Sequence, residues 1–456
     1  MPQNTFSRRT FLAAAAAAAG NAAAAANINT ARVAPRKISP NEKLNIAGIG
    51  VGGFGRRNLE GCNTENIVAL CDVDFDRAGR VFETYPNARR YRDFRKMFDA
   101  EANNIDAVIV ATPDHTHAVA AMAAMKMGKH VYCQKPIAHN IYEVRKLAET
   151  ARECKVQTQM GNQGHSMEGP RRVCEMIADG AIGRVREVHA WTDRPVGGSA
   201  VSHFPIMKRT EETAPVPESL DWDLWLGPAP FRPYNPIYHP TQWRAFRDFG
   251  TGPLGDMGCH ILDPAFWSLN LGHPESVQAT TTHYDNDVAK ETYPRASVVR
   301  YQFPARGEMP PVNLTWYDGR LLPPVPEFFD PRQRFDSNGA IILGEKGAIM
   351  HGTHGASDLR LLPRELADEY REPPKTLPRI PDNSHEQDWV RACKGGEPAC
   401  SNFDYSGTLT EMVLLGVLAM HVKNRRLEWD PQALRITNDE EADALIRRPY
   451  RDGWTL

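Results

Sequence analysis

Between residues 43 and 160, short apolar runs alternate with longer stretches that mix apolar and charged positions. The first run, Leu44-Asn45-Ile46-Ala47-Gly48-Ile49, breaks into Gly50-Val51-Gly52-Gly53-Phe54-Gly55 and predicts a strand turning sharply into a helix through Arg57-Asn58-Leu59. A second run, Ile67-Val68-Ala69-Leu70-Cys71, ends on Asp72; a helix follows, then a turn at Tyr85-Pro86-Asn87. Ile105-Asp106-Ala107-Val108-Ile109-Val110-Ala111 reads as a buried strand, with Thr112-Pro113-Asp114-His115-Thr116-His117 opening the next helix. His130-Val131-Tyr132-Cys133 is a further strand, running into Gln134-Lys135-Pro136. Near-continuous apolar strands spaced by helix-length segments indicate a parallel sheet covered on both faces. The fold class is therefore α/β, beginning with a doubly wound parallel sheet.

The pattern loosens beyond residue 160. Pro215, Pro217, Pro228, Pro230, Pro233, Pro236 and Pro240 mark residues 203–240 as a long irregular excursion, and Met309 to Pro331 is a second proline-rich loop. Glu372 to Pro381 leads into helical segments over Glu386–Cys393 and Ser406–His421. At the other end, Ser7-Arg8-Arg9-Thr10-Phe11-Leu12 precedes an alanine-dominated stretch to Ala26. Paired arginines, a weakly apolar core and small residues constitute a twin-arginine export signal over 1–26, followed by a linker over 27–42. The expected location is the periplasm. No cysteine follows the leader's apolar core, and no later apolar run is long enough to span a bilayer, so no membrane anchor is expected.

At 456 residues, 41% hydrophobic and 24% charged, the chain can bury the cores of two domains. A formal net charge of -2 argues against a nucleic-acid or anionic-membrane partner. The eight cysteines form no Cys-x-x-Cys pair, so neither a zinc site nor a redox dithiol is signalled. His351, His354 and His385 have neither the spacing nor the acidic company of metal ligands and read as structural; no metal is expected.

The glycine turn carries the first candidate chemistry. Gly50, Gly52 and Gly55, with Gly53 and Phe54 between them, follow a strand and open a helix. Such a turn lets a pyrophosphate sit on backbone N–H groups at the helix start. Asp72 stands at the end of the next strand, seventeen residues past Gly55, where a carboxylate receives a ribose hydroxyl. An acid there repels a 2′-phosphate and favours NAD, while the nearby Arg77 leaves NADP open.

With these motifs, Ala111-Thr112-Pro113-Asp114-His115-Thr116-His117 and Lys135-Pro136, the chain resembles the Gfo/Idh/MocA oxidoreductases. Met160-Gly161-Asn162-Gln163-Gly164-His165, Gly255-Asp256-Met257-Gly258-Cys259-His260-Ile261-Leu262-Asp263 and Tyr450-Arg451-Asp452-Gly453-Trp454 resemble that family's exported bacterial branch. The resemblance implies an NAD(P)-binding Rossmann domain over 43–160. It further implies a substrate and oligomerisation domain over 161–456, an α/β unit with a large, open, mostly antiparallel sheet. Thr112, Pro113, His115, His117, Gln134, Lys135, Asn162 and Gln163 would join the cofactor site. His260 would be the general acid/base and Asp256 its orienting, hydrogen-bonding partner; four residues apart, they share a helix face, with Asp263 one turn further. Lys135 would hold the reacting hydroxyl and Asp263 another substrate hydroxyl. His165, Arg194, Trp243 and Arg244 are candidates for lining or stacking on a sugar. One departure stands out: the family commonly has Glu-Lys-Pro where this chain has Gln134-Lys135-Pro136.

These readings converge on a nicotinamide-dependent oxidoreductase of sugars or polyols, a homo-oligomer by resemblance. Outside the cytoplasm there is no free cofactor pool, so the cofactor would be tightly held and recycled in each turnover. Two other outcomes use the same residues. Transient oxidation of a ring hydroxyl could drive glycoside cleavage, elimination or epimerisation, or the scaffold could serve as a non-catalytic sugar- or nucleotide-binding protein.

Overall fold

A computed structural model describes residues 34–195, 212–282, 290–329, 334–422 and 424–456. The expected leader therefore lies outside the described residues, as do the start of the first excursion and the end of the second proline-rich loop.

Six strands form the first sheet: β1 (Asn45–Ile49), β2 (Asn66–Cys71), β3 (Arg89–Tyr91), β4 (Ala107–Val110), β5 (His130–Cys133) and β6 (Thr158–Met160). Their order is β3-β2-β1-β4-β5-β6, and every pairing is parallel. The connections reverse direction between β1 and β4, which opens a crevice above the carboxyl ends of those strands. β4 and β5 are buried along their whole length, as continuous apolar runs require. Besides β6, a Thr-Gln-Met, the apolar pattern does not announce β3. Its Arg-Arg-Tyr pairs with β2 alone, at the sheet edge where charged side chains reach water.

The second sheet has nine strands in the order β13-β12-β11-β7-β10-β9-β8-β14-β15. They are β7 (Val185–Trp191), β8 (Ser276–Thr281), β9 (Ser297–Phe303), β10 (Val312–Tyr317), β11 (Gly339–Gly344), β12 (Ala348–His351), β13 (Arg360–Leu362), β14 (Arg426–Asp430) and β15 (Arg435–Ile436). β7 and β10 run parallel and the remaining pairings are antiparallel. In β9, Val299, Tyr301 and Phe303 are buried while Arg300 and Gln302 are exposed, so one face carries the core and the other meets water.

The helix Phe403–Ala419 joins the two halves. It is apolar almost all round and buried, packing against the helices Ile141–Cys154 and Gly252–Ile261 and on β8 and β9. Gly416 allows the closest approach: a Cβ there would lie 1.9 Å from the Tyr301 hydroxyl. Burial of Leu409 and Leu415 on this helix contributes roughly 1.5–3 kcal/mol each. The helix that carries Asp256 and His260 spans Gly252–Ile261 and stops there. Asp263 instead begins a separate helix, Asp263–Ser268, because Pro264 cannot continue the preceding one.

The first excursion returns over the end of β2. Trp222, Trp225, Tyr238, Trp243, Phe246 and Phe249 form an aromatic cluster against Val73. Asp74 pairs with Leu220 in a backbone bridge, and His239 Nε2 lies 2.9 Å from Asp74 Oδ2. Among the described residues, no helix is long and apolar enough to cross a membrane.

Candidate active site

The crevice is built from the loops that follow β1, β2, β4, β5 and β6. Gly50 turns the chain out of β1 at φ 80°, in the left-handed region that favours glycine. A Cβ at Gly50 would lie 2.7 Å from the carbonyl carbon of Ala111 and the nitrogen of Thr112. The turn therefore packs directly on the loop after β4. Asp72 Oδ2 accepts from Gly52 N at 2.7 Å and Asp72 Oδ1 from Asp74 N at 3.0 Å. Burial pushes its carboxyl up, and these two N–H donors oppose that shift. Arg77 lies along the turn, where a Cβ on Gly52 would come within 2.8 Å of its Cγ. Phe54 remains exposed, with Arg57 over its ring at 5.5 Å. The bare-backbone turn, the acid at the end of β2 and the buried, unpartnered Thr112 Oγ1 fit a dinucleotide.

Lys135, after β5, reaches across to the second domain. Its Nζ donates to Asp256 Oδ1 at 2.9 Å and to the Asp256 carbonyl at 2.7 Å. Asp256 also pairs with Arg194 through Oδ2, and Arg244 Nε stands 3.6 Å from Oδ1. Burial alone would raise this carboxyl, but Lys135, Arg194 and Arg244 outweigh it and hold it well below the usual carboxylate range. Asp256 is thus a fixed anion in a nest of cations.

His260, one turn along, is not hydrogen-bonded to Asp256, contrary to what the resemblance implies. Lys135 and Arg194 occupy the carboxylate instead. The His260 ring packs on His354, with centroids 4.1 Å apart, and its Nδ1 is buried without a partner. Burial, with the charges of Lys135 and His354, holds the imidazole well below its ordinary value. A neutral imidazole can accept a proton.

His354 is the residue the sequence reading missed. It stands in a short turn, His354–Ala356, after β12. That turn seats on the loop after β6 because both are glycine-rich: a Cβ on Gly164 would be 2.4 Å from Gly355 N. The available signal was the glycine-flanked Gly352-Thr353-His354-Gly355; His354 reads as structural there for want of metal-ligand spacing and acidic company, and its partner His260 is remote in sequence.

Several expected contacts are replaced by internal ones. His115 is buried between Trp225 and Phe249, with Nε2 2.9 Å from the Trp225 carbonyl, so it anchors the excursion rather than facing a cofactor. His117 Nδ1 and Nε2 lie 2.8 Å from the Pro136 and Thr112 carbonyls, bracing the turn that carries Lys135. Gln134 donates to Asn58 Oδ1 at 3.0 Å, and Asn58 Nδ2 donates to Glu386 at 2.7 Å. A carboxylate is therefore one side chain away from the amide that departs from the family pattern. Asn162 is buried between Ser401 Oγ and the Cys259 carbonyl, while Gln163 beside it is half-buried. His165 and Asp263 form a buried pair at 2.9 Å, and the Tyr405 hydroxyl donates to Asp263 Oδ1 at 2.6 Å, leaving neither turned to an open cleft. Trp243 belongs to the aromatic cluster, with the Arg244 guanidinium stacked on it at 4.1 Å. Among the described residues, no group of three or more His, Cys, Asp or Glu side chains is placed to hold a metal.

Comparison with known proteins fits this architecture. Residues 44–162 match a family described as "Oxidoreductase family, NAD-binding Rossmann fold", and 196–303 match "Oxidoreductase family, C-terminal alpha/beta domain". Myo-inositol 2-dehydrogenase of Thermotoga maritima is 27% identical over 143 residues, covering 31% of this chain and 42% of that protein. Inositol 2-dehydrogenase of Salmonella typhimurium is 26% identical over 204 residues, covering 44% and 58%. The chain thus spans about half the length of these relatives. In fold it is similar to the WlbA dehydrogenase from Bordetella pertussis, crystallised with NADH and UDP-GlcNAcA, at a TM-score of 0.59 and 16% identity over 85% of this chain and 99% of that one.

Proposed function

The chain belongs to the Gfo/Idh/MocA oxidoreductase family, and from that premise we propose that it transfers hydride between a tightly held nicotinamide cofactor and a sugar, a polyol or a sugar derivative. The observation that carries this reading is the Lys135–Asp256 pair, at 2.9 Å, beside a buried His260 held below its ordinary pKa. The bound nicotinamide supplies the hydride acceptor. The chain's residues supply the rest. Lys135, fixed by both the carboxylate and the carbonyl of Asp256, places an ammonium where a substrate hydroxyl gains negative charge. His260 takes the hydroxyl proton, and His354 packs against it on one face. Asp256 holds Lys135 in place, and His117 braces the turn that carries Lys135.

Support for retention comes from the excursion over β2. The aromatic cluster and the Asp74–His239 contact close over the end of the crevice where the adenosine half of a dinucleotide would lie. That arrangement suits an exported enzyme that must keep its cofactor. The polar outer face of β9 and β10 is the surface we assign to self-association.

The test is to purify the mature protein without added cofactor, denature it, and measure released NAD(H) and NADP(H) against protein. Near-stoichiometric cofactor, oxidised or reduced on adding a sugar, is the expected result. A protein that emerges empty and turns over only with a continuous external supply contradicts the closed cycle. An empty protein with no turnover contradicts the enzymatic reading.

A further inference from the structure

Three cations converge on one carboxylate at the substrate end of the crevice. Lys135 Nζ and Arg194 bond Asp256, and Arg244 Nε stands 3.6 Å from it. Asp263 and Asp114, which act on the helix that carries Asp256, do not balance them. Asp263 is engaged by His165 and Tyr405. Asp114 feels Lys135 and Arg244, yet it is buried against the Thr251 hydroxyl at 2.6 Å, and burial pushes its carboxyl up. Asp256 and an ionised Asp114 against these three cations leave one positive charge. A dinucleotide's pyrophosphate belongs at the glycine turn after β1, so it does not cancel that surplus.

Arg244 is also held ready. Its guanidinium stacks on Trp243 at 4.1 Å and its Nη1 donates to the Thr241 carbonyl at 3.3 Å. Both Arg194 and Arg244 keep about a quarter of their side-chain surface exposed, at 23% and 25%. A guanidinium fixed on an aromatic ring, with Nε turned to Asp256, Nη1 to the Thr241 carbonyl and Nη2 engaged by no described residue, is placed to donate to an oxyanion.

We infer that the substrate carries a negative charge, as a sugar bearing a carboxylate or a phosphate, and that Arg244 with Arg194 receives that group. This rests on the oxidoreductase reading above and narrows its substrate class. Arg244 is then a specificity-determining residue: it selects among sugars and takes no part in moving hydride or proton.

The experiment compares glucuronate, glucose 6-phosphate and uncharged glucose on the purified, cofactor-loaded protein. It follows reduction of the bound nicotinamide by its near-ultraviolet absorbance and, separately, binding by calorimetry. The expected result is that one of the anions exceeds glucose by about tenfold or more in kcat/KM, a preference that weakens with added salt. Glucuronate ahead of glucose 6-phosphate identifies a carboxylate, and the reverse order a phosphate. Arg244→Gln lowers the anion-to-neutral ratio by about tenfold, mainly through KM, and Arg244→Lys recovers part of it. Retained bound cofactor and an unchanged melting temperature show that each variant is folded.

Glucose used as well as either anion, or a preference untouched in a folded Arg244→Gln protein, overturns the inference while the oxidoreductase reading stands. If no sugar alters the cofactor but an anion still binds and Arg244→Gln abolishes that binding, the inference holds and the oxidoreductase reading falls. No turnover and no anion binding overturns both.

Discussion

The imidazole of His354 lies over that of His260, with ring centroids 4.1 Å apart and planes tilted by 36°. One ring comes from the helix Gly252–Ile261 and the other from the turn after β12, so the pair ties the acid/base candidate to the second sheet. Burial comes first among the causes that hold His260 well below its ordinary value, followed by Lys135 and then His354. His354→Ala admits water and removes one of these influences, so the His260 value rises toward 6.5. A neutral base is lost as its proton goes on, so the acid limb of kcat/KM for alcohol oxidation moves to higher pH. His354→Phe keeps the packing against His260 and shifts the limb less. An acid limb in His354→Ala that superimposes on the wild type shows that His354 does not tune His260.

Lys135→Met removes the ammonium while keeping an unbranched side chain of similar length. Asp256 retains Arg194 and Arg244, so the carboxylate is not left bare. The chemical step slows by about 100-fold or more, the scale of losing one electrostatic contact to a developing oxyanion. Bound nicotinamide per protein stays near the wild-type value. A kcat within about threefold of wild type would remove Lys135 from the reaction.

The contact between His239 and Asp74, at 2.9 Å, is a side-chain tie between the excursion and the end of β2, beside the backbone bonds from Phe75 N to the Ser219 carbonyl and from Asp221 N to the Val73 carbonyl. Asp74 also caps the helix Phe75–Thr84 through Arg77 N, so the substitution belongs on the histidine side. His239→Ala loosens the arm without uncapping that helix. Released nicotinamide, measured after dialysis of the loaded protein, increases several-fold over wild type. Equal retention by the two proteins would show that the aromatic cluster and the backbone bonds hold the arm closed without His239.

How much of this was legible before the structure depends on the range of each interaction. β1, β2, β4 and β5 declare themselves because a parallel strand covered on both faces is apolar along most of its length. β3 escapes because an edge strand of Arg-Arg-Tyr is specified by its neighbour β2 and not by its own pattern. Asp256 and His260 were marked by a motif that resembles the family's, their four-residue spacing adding only a shared helix face, yet their partners were not, because Lys135, Arg194 and His354 arrive from distant segments. His115, His165 and Trp243 illustrate the opposite error. A histidine or tryptophan looks the same in sequence whether its polar atoms face a ligand or a neighbouring carbonyl, and here His115 and Trp243 face carbonyls and His165 a buried acid.

The burial of His115 also sets a pH dependence of stability. Desolvation is the main cause that drives its pKa down to about 3, assisted by the charge of Arg448, and its Nε2 sits 2.9 Å from the Trp225 carbonyl. Unfolding restores the ordinary value of 6.5, so between pH 6.5 and about 3 the unfolded chain binds a proton that the folded chain refuses. The contribution of His115 to stability is therefore complete above pH 6.5 and declines as the pH falls, by at most about 1.4 kcal/mol per pH unit. His115→Gln preserves a donor toward the Trp225 carbonyl but cannot titrate. Comparing the two proteins cancels every other ionisable group they share. Denaturant midpoints taken at pH 7.5 and pH 5.0 should show the wild type losing stability relative to His115→Gln on acidification. A gap between the two that is constant across that range would mean that the proton reaches His115 in the folded protein, and that the excursion does not seal it from water.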